Sequence, residues 1–200
     1  MTYFVAFGLC SAVLSSFAFL PYIVDTLAGR TQPQRASWLI WTVLSVIAFF
    51  TQLDSGASAS LWFAGAQVSG TITIFLLSIR FGQGCYLARV DGLVLLAAAI
   101  GLGLWFVMDE AGYALAMTIS ISLLAGTVTV RKAYRSPGTE TMITWALSLV
   151  ASCFALASVP EMSWVLLAYP AYLLTLNAAI VGAMLMGRAR TAHKPGFANA

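Results

Sequence analysis

Within the long apolar runs of this chain, the side chains that could act on a solute are few and neutral. Asn177 carries an amide with both donors and acceptors, Gln67 carries a second, and Thr73 carries a hydroxyl. Trp41 and Trp145 each offer an indole face that stacks on a sugar ring or an aromatic base, with an N–H to donate. This chemistry suits a small, neutral, polar molecule. The same groups also serve as hydrogen-bonded glue between helices, and tryptophans a turn or so into a helix also hold it at a membrane interface. Gln67 and Ser69, with Ser45, admit either reading, as cavity lining or as bonds inside a bundle. Gly65, Ala66, Ser69 and Gly70 form a small-residue face suited to close helix packing.

Absences exclude several chemistries. Lys132 and Lys194 are the only lysines, and both are expected outside the apolar runs, so a retinal Schiff base has no partner. His193 stands alone in a polar tail, and Cys10, Cys85 and Cys153 are scattered, so neither haem nor a metal is expected. No cofactor follows from the residues, and no nucleophile–base pair indicates an enzyme. Asp25 is the nearest approach to an ionisable group inside the membrane, and an ion pair with Arg30 is its plain reading. Facilitated diffusion fits better than proton-driven transport.

The elements that position these groups follow from composition. Of 200 residues, 60% are hydrophobic and 8% charged, against about 25% charged in a soluble domain. The bilayer is therefore the solvent, and long unalternated runs in lipid must be helices. Hydropathy places seven spans at roughly 3–27, 36–53, 59–79, 90–107, 112–130, 140–158 and 163–187. With these spans all ten Lys and Arg residues fall on one side, whereas Asp54, Asp109, Glu110 and Glu161 fall on the other. Positive-inside bias then puts the N-terminus outside and the C-terminus in the cytosol. Trp62, Trp105 and Trp164 sit near outer ends as an interfacial belt. Met1-Thr2-Tyr3 lacks the basic start of a signal peptide, so the first span is expected to be retained, and 188–200 reads as a disordered tail. A compact chain without trafficking tails leans toward a bacterial inner membrane. Its basic loops are explained by topology and by lipid, which leaves no argument for nucleic acid; a homo-oligomer is open.

Shifting the chain by 104 residues aligns it with itself. Arg30-Thr31-Gln32-Pro33 meets Tyr134-Arg135-Ser136-Pro137, Ser37 meets Thr141, Leu39 meets Ile143, and Trp41 meets Trp145. Upstream Ser16, Leu20 and Val24 match Ser120, Leu124 and Val128. Downstream Val46 and Phe50 match Val150 and Phe154, Thr71 matches Thr175, and Thr73 pairs with Asn177. The organisation expected is a three-helix repeat at 1–82, a linker helix at 83–110, a second repeat at 111–187 and the tail. The linker span flips the chain, so both repeats share one orientation in a 3+1+3 arrangement.

Leu20-Pro21-Tyr22, Gly29-Arg30-Thr31-Gln32-Pro33 and Ser37-Trp38-Leu39-Ile40-Trp41 together resemble the PQ-loop motif. Tyr22 stands where the signature glutamine would be, and Ala125 stands opposite Pro21 in the second repeat. The resemblance is to the PQ-loop and SWEET-like superfamily, whose members carry sugars, amino acids or vitamin precursors. It implies alternating access between two three-helix units, a hinge at Pro21, and a solute pocket that includes Asn177. The other function class it leaves open is a seven-span sensor or receptor that carries nothing.

Overall fold

The computed structural model describes residues 2–83 and 111–192. The expected fourth span at 90–107, with Trp105, lies outside these residues, as do Cys85, His193 and Lys194. Six helices are described: α1 (Thr2–Leu27), α2 (Arg35–Asp54), α3 (Ala59–Phe81), α4 (Ala111–Arg135), α5 (Met142–Ala157) and α6 (Trp164–Ala192). Five of them are long and apolar enough to cross a membrane. The other, α5, has 16 residues, or about 24 Å of helix. The protein is an all-α integral membrane protein. The tail expected to be disordered is helical as far as Ala192.

Local chemistry sets the ends of the helices. Gly29 closes α1 at φ 72°, with Arg30 N–H bonded to the Asp25 carbonyl at 2.8 Å and Gly29 N–H to Thr26 at 3.1 Å. Gly56 repeats this double bond after α2 at φ 75°. Only glycine adopts that left-handed turn without strain. Pro33 and Pro137 follow the ends of α1 and α4, where a proline cannot continue a helix. Pro21 lies within α1 and Pro170 within α6, and both helices run through them.

Within each set of three helices the third lies between the other two. Thus α3 packs on α1 and α2, and α6 packs on α4 and α5. The two sets meet reciprocally, α1 against α5 and α2 against α4. Hydrogen bonds at the basic end obey the same exchange. Thr141 donates to Asp25 Oδ2 at 2.7 Å, and Thr129 donates to Ser37 Oγ at 3.1 Å. These four residues form twin pairs at the 104-residue offset. Asp25 also pairs with Arg30 at 2.7 Å, as expected.

Glycines set the helix spacing. A side chain on Gly8 would run into the backbone carbonyl of Ala59, and its twin Gly112 lies beneath the Trp164 indole. Gly8→Leu should therefore force α1 from α3 at about 3 kcal/mol. Gly182→Ala, with nothing within 4 Å, should be neutral or stabilise by up to about 1 kcal/mol. Unfolding in mixed micelles compares the two, and equal stabilities would refute the close approach. The small-residue face of α3 divides: Gly70 is pressed against the Phe19 ring, whereas Ser69 is exposed.

Register differs between the third helices. The turn at 55–58 has four residues and the turn at 158–163 has six. Beyond it, positions of like burial lie 106 apart: Phe63 with Tyr169, Gln67 with Leu173, Thr71 with Asn177, and Ile74 with Ile180. The Thr71/Thr175 identity at 104 is therefore a coincidence, since Thr175 is exposed.

Candidate functional site

Between the two sets of helices lies a cavity with about 40 Å³ for the centres of water-sized molecules. One water needs about 10–15 Å³ by that measure, so roughly three would fit. In this state the cavity has no room for a sugar or an amino acid.

Two aromatic pairs, each made of twin positions, flank it; Trp41, Trp145 and Tyr169 line it, and Phe63 stands behind Tyr169. Trp41 and Trp145 meet edge to face at 6.0 Å toward the basic end. Phe63 and Tyr169 meet at 6.4 Å one turn from Gln67 and Leu173, toward the acidic end. Between these pairs the walls carry Gln67 and Thr71 from α3, Thr144 and Ser148 from α5, and Asn177 from α6. None of the lining side chains is charged.

Of the residues expected from sequence, Asn177, Gln67, Trp41 and Trp145 all line this cavity. Trp41 is 6% exposed and Trp145 5% exposed, so both belong to the core and neither is an interfacial anchor. Trp62 and Trp164, at 62% and 57% exposed, do sit as an outer belt would. Asn177 lines the cavity and also makes an interhelical bond, donating from Nδ2 to Ser152 Oγ at 3.1 Å. Thr73 is a correction. It is exposed, and its hydroxyl turns back to the Ser69 carbonyl at 2.8 Å. The two extra residues at 158–163 displace its register, and Thr71 takes the place across from Asn177. Ser45 holds Thr71 at 2.8 Å and is satisfied inside the bundle.

The basic end of the cavity rests on a charged assembly that the sequence reading overlooked. Glu140, just before α5, accepts the Trp145 indole N–H at 3.0 Å through Oε2. Its other oxygen meets Lys132 Nζ at 2.7 Å, and the two side chains are 1% and 10% exposed. Lys132 also donates to the Gln32 carbonyl at 2.6 Å, which ties α4 to the loop after α1. Lys132 belongs to the last turn of α4, beyond the apolar run expected at 112–130. A lone acid in the basic loop, five residues before Trp145, was the available signal. Tyr22, next to Pro21 in α1, is fully buried and receives the Trp38 N–H at 3.3 Å. Its ring closes the tryptophan cluster against Trp38 and Trp145.

The twin tryptophans therefore differ. Trp145 has its N–H committed to Glu140, whereas Trp41 Nε1 has no bond of good geometry, although it lies beside the Tyr172 hydroxyl. Thr144 Oγ1 on the cavity wall is also unpaired. Buried polar atoms left unpaired are uncommon, and a bound solute or water is one way to satisfy them. Among the described residues no cluster of His, Cys, Asp and Glu could hold a metal ion.

No family model matches this sequence, and neither a curated protein nor a solved structure with significant similarity to the chain was found.

Proposed function

We propose that this protein is a PQ-loop-type, SWEET-like facilitator that carries a small neutral polar solute across the membrane. The observation that carries the reading is the uncharged cavity between two reciprocally packed sets of helices, walled by the twin pairs Trp41/Trp145 and Thr71/Asn177. In this reading the described helices and the span expected at 90–107 make seven, arranged 3+1+3. The basic end faces the cytosol, by the positive-inside rule, with a bacterial inner membrane as the setting.

The cycle is a rocking of the two units about the central solute. Opening to the cytosol separates Trp41 from Trp145 and breaks the bonds of Lys132 to Gln32, Thr141 to Asp25, and Thr129 to Ser37. Opening to the outside separates Phe63 from Tyr169. Pro21 leaves the carbonyl one turn earlier without a helical partner, which suits α1 to bend. Asn177 and Thr71 hold the solute by hydrogen bonds, the indoles stack on it, and Gln67 contacts its outer side.

A thermal-shift screen of the purified chain against sugars, amino acids, nucleosides and vitamin precursors tests this, followed by flux into proteoliposomes for each hit. A solute at 100 times its dissociation constant should stabilise by about 2.7 kcal/mol. A hit that is also carried supports the facilitator. A hit that binds but never crosses would move the protein to the sensor class, and a folded protein that meets no ligand would sink the pocket itself.

A further inference from the structure

A groove of about 500 Å³ runs down the outer surface between α4 and α6, away from the central cavity. Its floor is built from small residues, Gly126, Ala179 and Ala183. Thr127 and Thr175 also line it, but their hydroxyls bond back to Leu124 and Ala171 of their own helices at 2.7 and 2.9 Å. The floor therefore presents hydrocarbon. From Leu123 to Tyr134 it follows α4 for about 16 Å, close to the ~15 Å hydrocarbon depth of one leaflet.

The basic end of the groove carries cations. Arg131 lines it, is exposed, and makes no ion pair among the described residues. Arg190 lies over the Tyr134 ring at 4.7 Å, and Tyr134 lines the groove too. A slot sized for an acyl chain thus ends in two guanidinium groups at headgroup depth. The fold does not require this. At the twin positions of Gly126, Ala183 and Arg131 the first repeat has Tyr22, Leu77 and Leu27, which supply bulk in place of the hollow and no charge.

We propose that this groove is a binding site for an anionic phospholipid of the leaflet at the basic end. One acyl chain lies on Gly126, Ala179 and Ala183, and the phosphate is held by Arg131 with help from Arg190. The inference is independent of what the central cavity carries.

Native mass spectrometry of the purified full chain tests it by titration with phosphatidylglycerol or phosphatidylcholine of the same acyl chains. Phosphatidylglycerol should be retained more strongly, by about fivefold for each engaged cation. Arg131→Gln, at an exposed position, should lower that preference about fivefold and leave phosphatidylcholine unchanged. Ala179→Phe, which fills the floor from another exposed position, should displace the bound lipid while Arg131 remains. Equal retention of the two lipids by the natural chain would overturn the proposal. So would an unchanged preference in Arg131→Gln, or undiminished binding in Ala179→Phe.

Discussion

Lys132→Met is expected to destabilise the protein by about 3–5 kcal/mol, because it strands the Glu140 carboxylate in a buried site without its counter-charge. The side chains of this pair are 10% and 1% exposed, so little water reaches them to screen the loss. The paired change Lys132→Met with Glu140→Gln should recover most of the stability, because it removes both charges and keeps an acceptor for the Trp145 indole. Glu140→Leu should do worse than Glu140→Gln, as it also leaves that N–H unpaired. Reversible unfolding of all four variants in mixed micelles measures the coupling between the two sites. If the single and paired variants are equally stable, the ion pair does not hold this end of the bundle together.

The second large effect is on transport and separates the two registers of α3. With a carried solute in hand, Asn177→Ala and Thr71→Val should each slow flux about tenfold, the loss of roughly one hydrogen bond in a desolvated site. Thr73→Val should transport normally, because Thr73 is exposed and does not line the cavity, whereas Thr71 does. Each variant must run as a single species on size exclusion, so that misfolding is not mistaken for a lost contact. A slow Thr73 variant beside a normal Thr71 variant would restore the 104-residue register and refute the placement of Thr71 opposite Asn177.

That register shows where the sequence was readable and where it was not. Composition and hydropathy were enough for a helical membrane protein, since a backbone in lipid has few ways to satisfy its polar groups. The offset also matched α1 with α4 and α2 with α5, because proline and tryptophan stand at the same spacing in both halves, Pro33 to Trp41 and Pro137 to Trp145. It failed beyond 158–163, because that loop carries two residues more than its counterpart at 55–58, a difference in length that hydropathy does not register. The identity of Thr71 and Thr175 then reinforced the wrong spacing. Burial reveals the true pairs, and burial depends on which face of a helix meets a neighbour.

The tryptophans were ambiguous for a related reason. Depth along a helix is legible in sequence, but Trp41 at a given depth can face lipid or core, and the partner helix decides. Glu140 was legible in part. Its charge stood against the sign of its loop, and Lys132 lay eight residues away across the Pro137–Thr139 turn. What the sequence does not display is that the turn folds the pair inward beneath Trp145.

The unequal indoles have a consequence for how a solute would travel. A chamber with true twofold symmetry would accept a molecule in either of two end-for-end orientations at equal energy. Here one indole hydrogen is held by the Glu140 carboxylate, and the other lies beside the neutral Tyr172 hydroxyl without a bond of good geometry, so the two orientations differ. A solute that bonds Trp41 keeps the same end toward α2 throughout its passage, entering with one end leading and leaving with that end still fixed. Of two isomeric derivatives, each bulked at one end, only the one modified away from Trp41 would be carried.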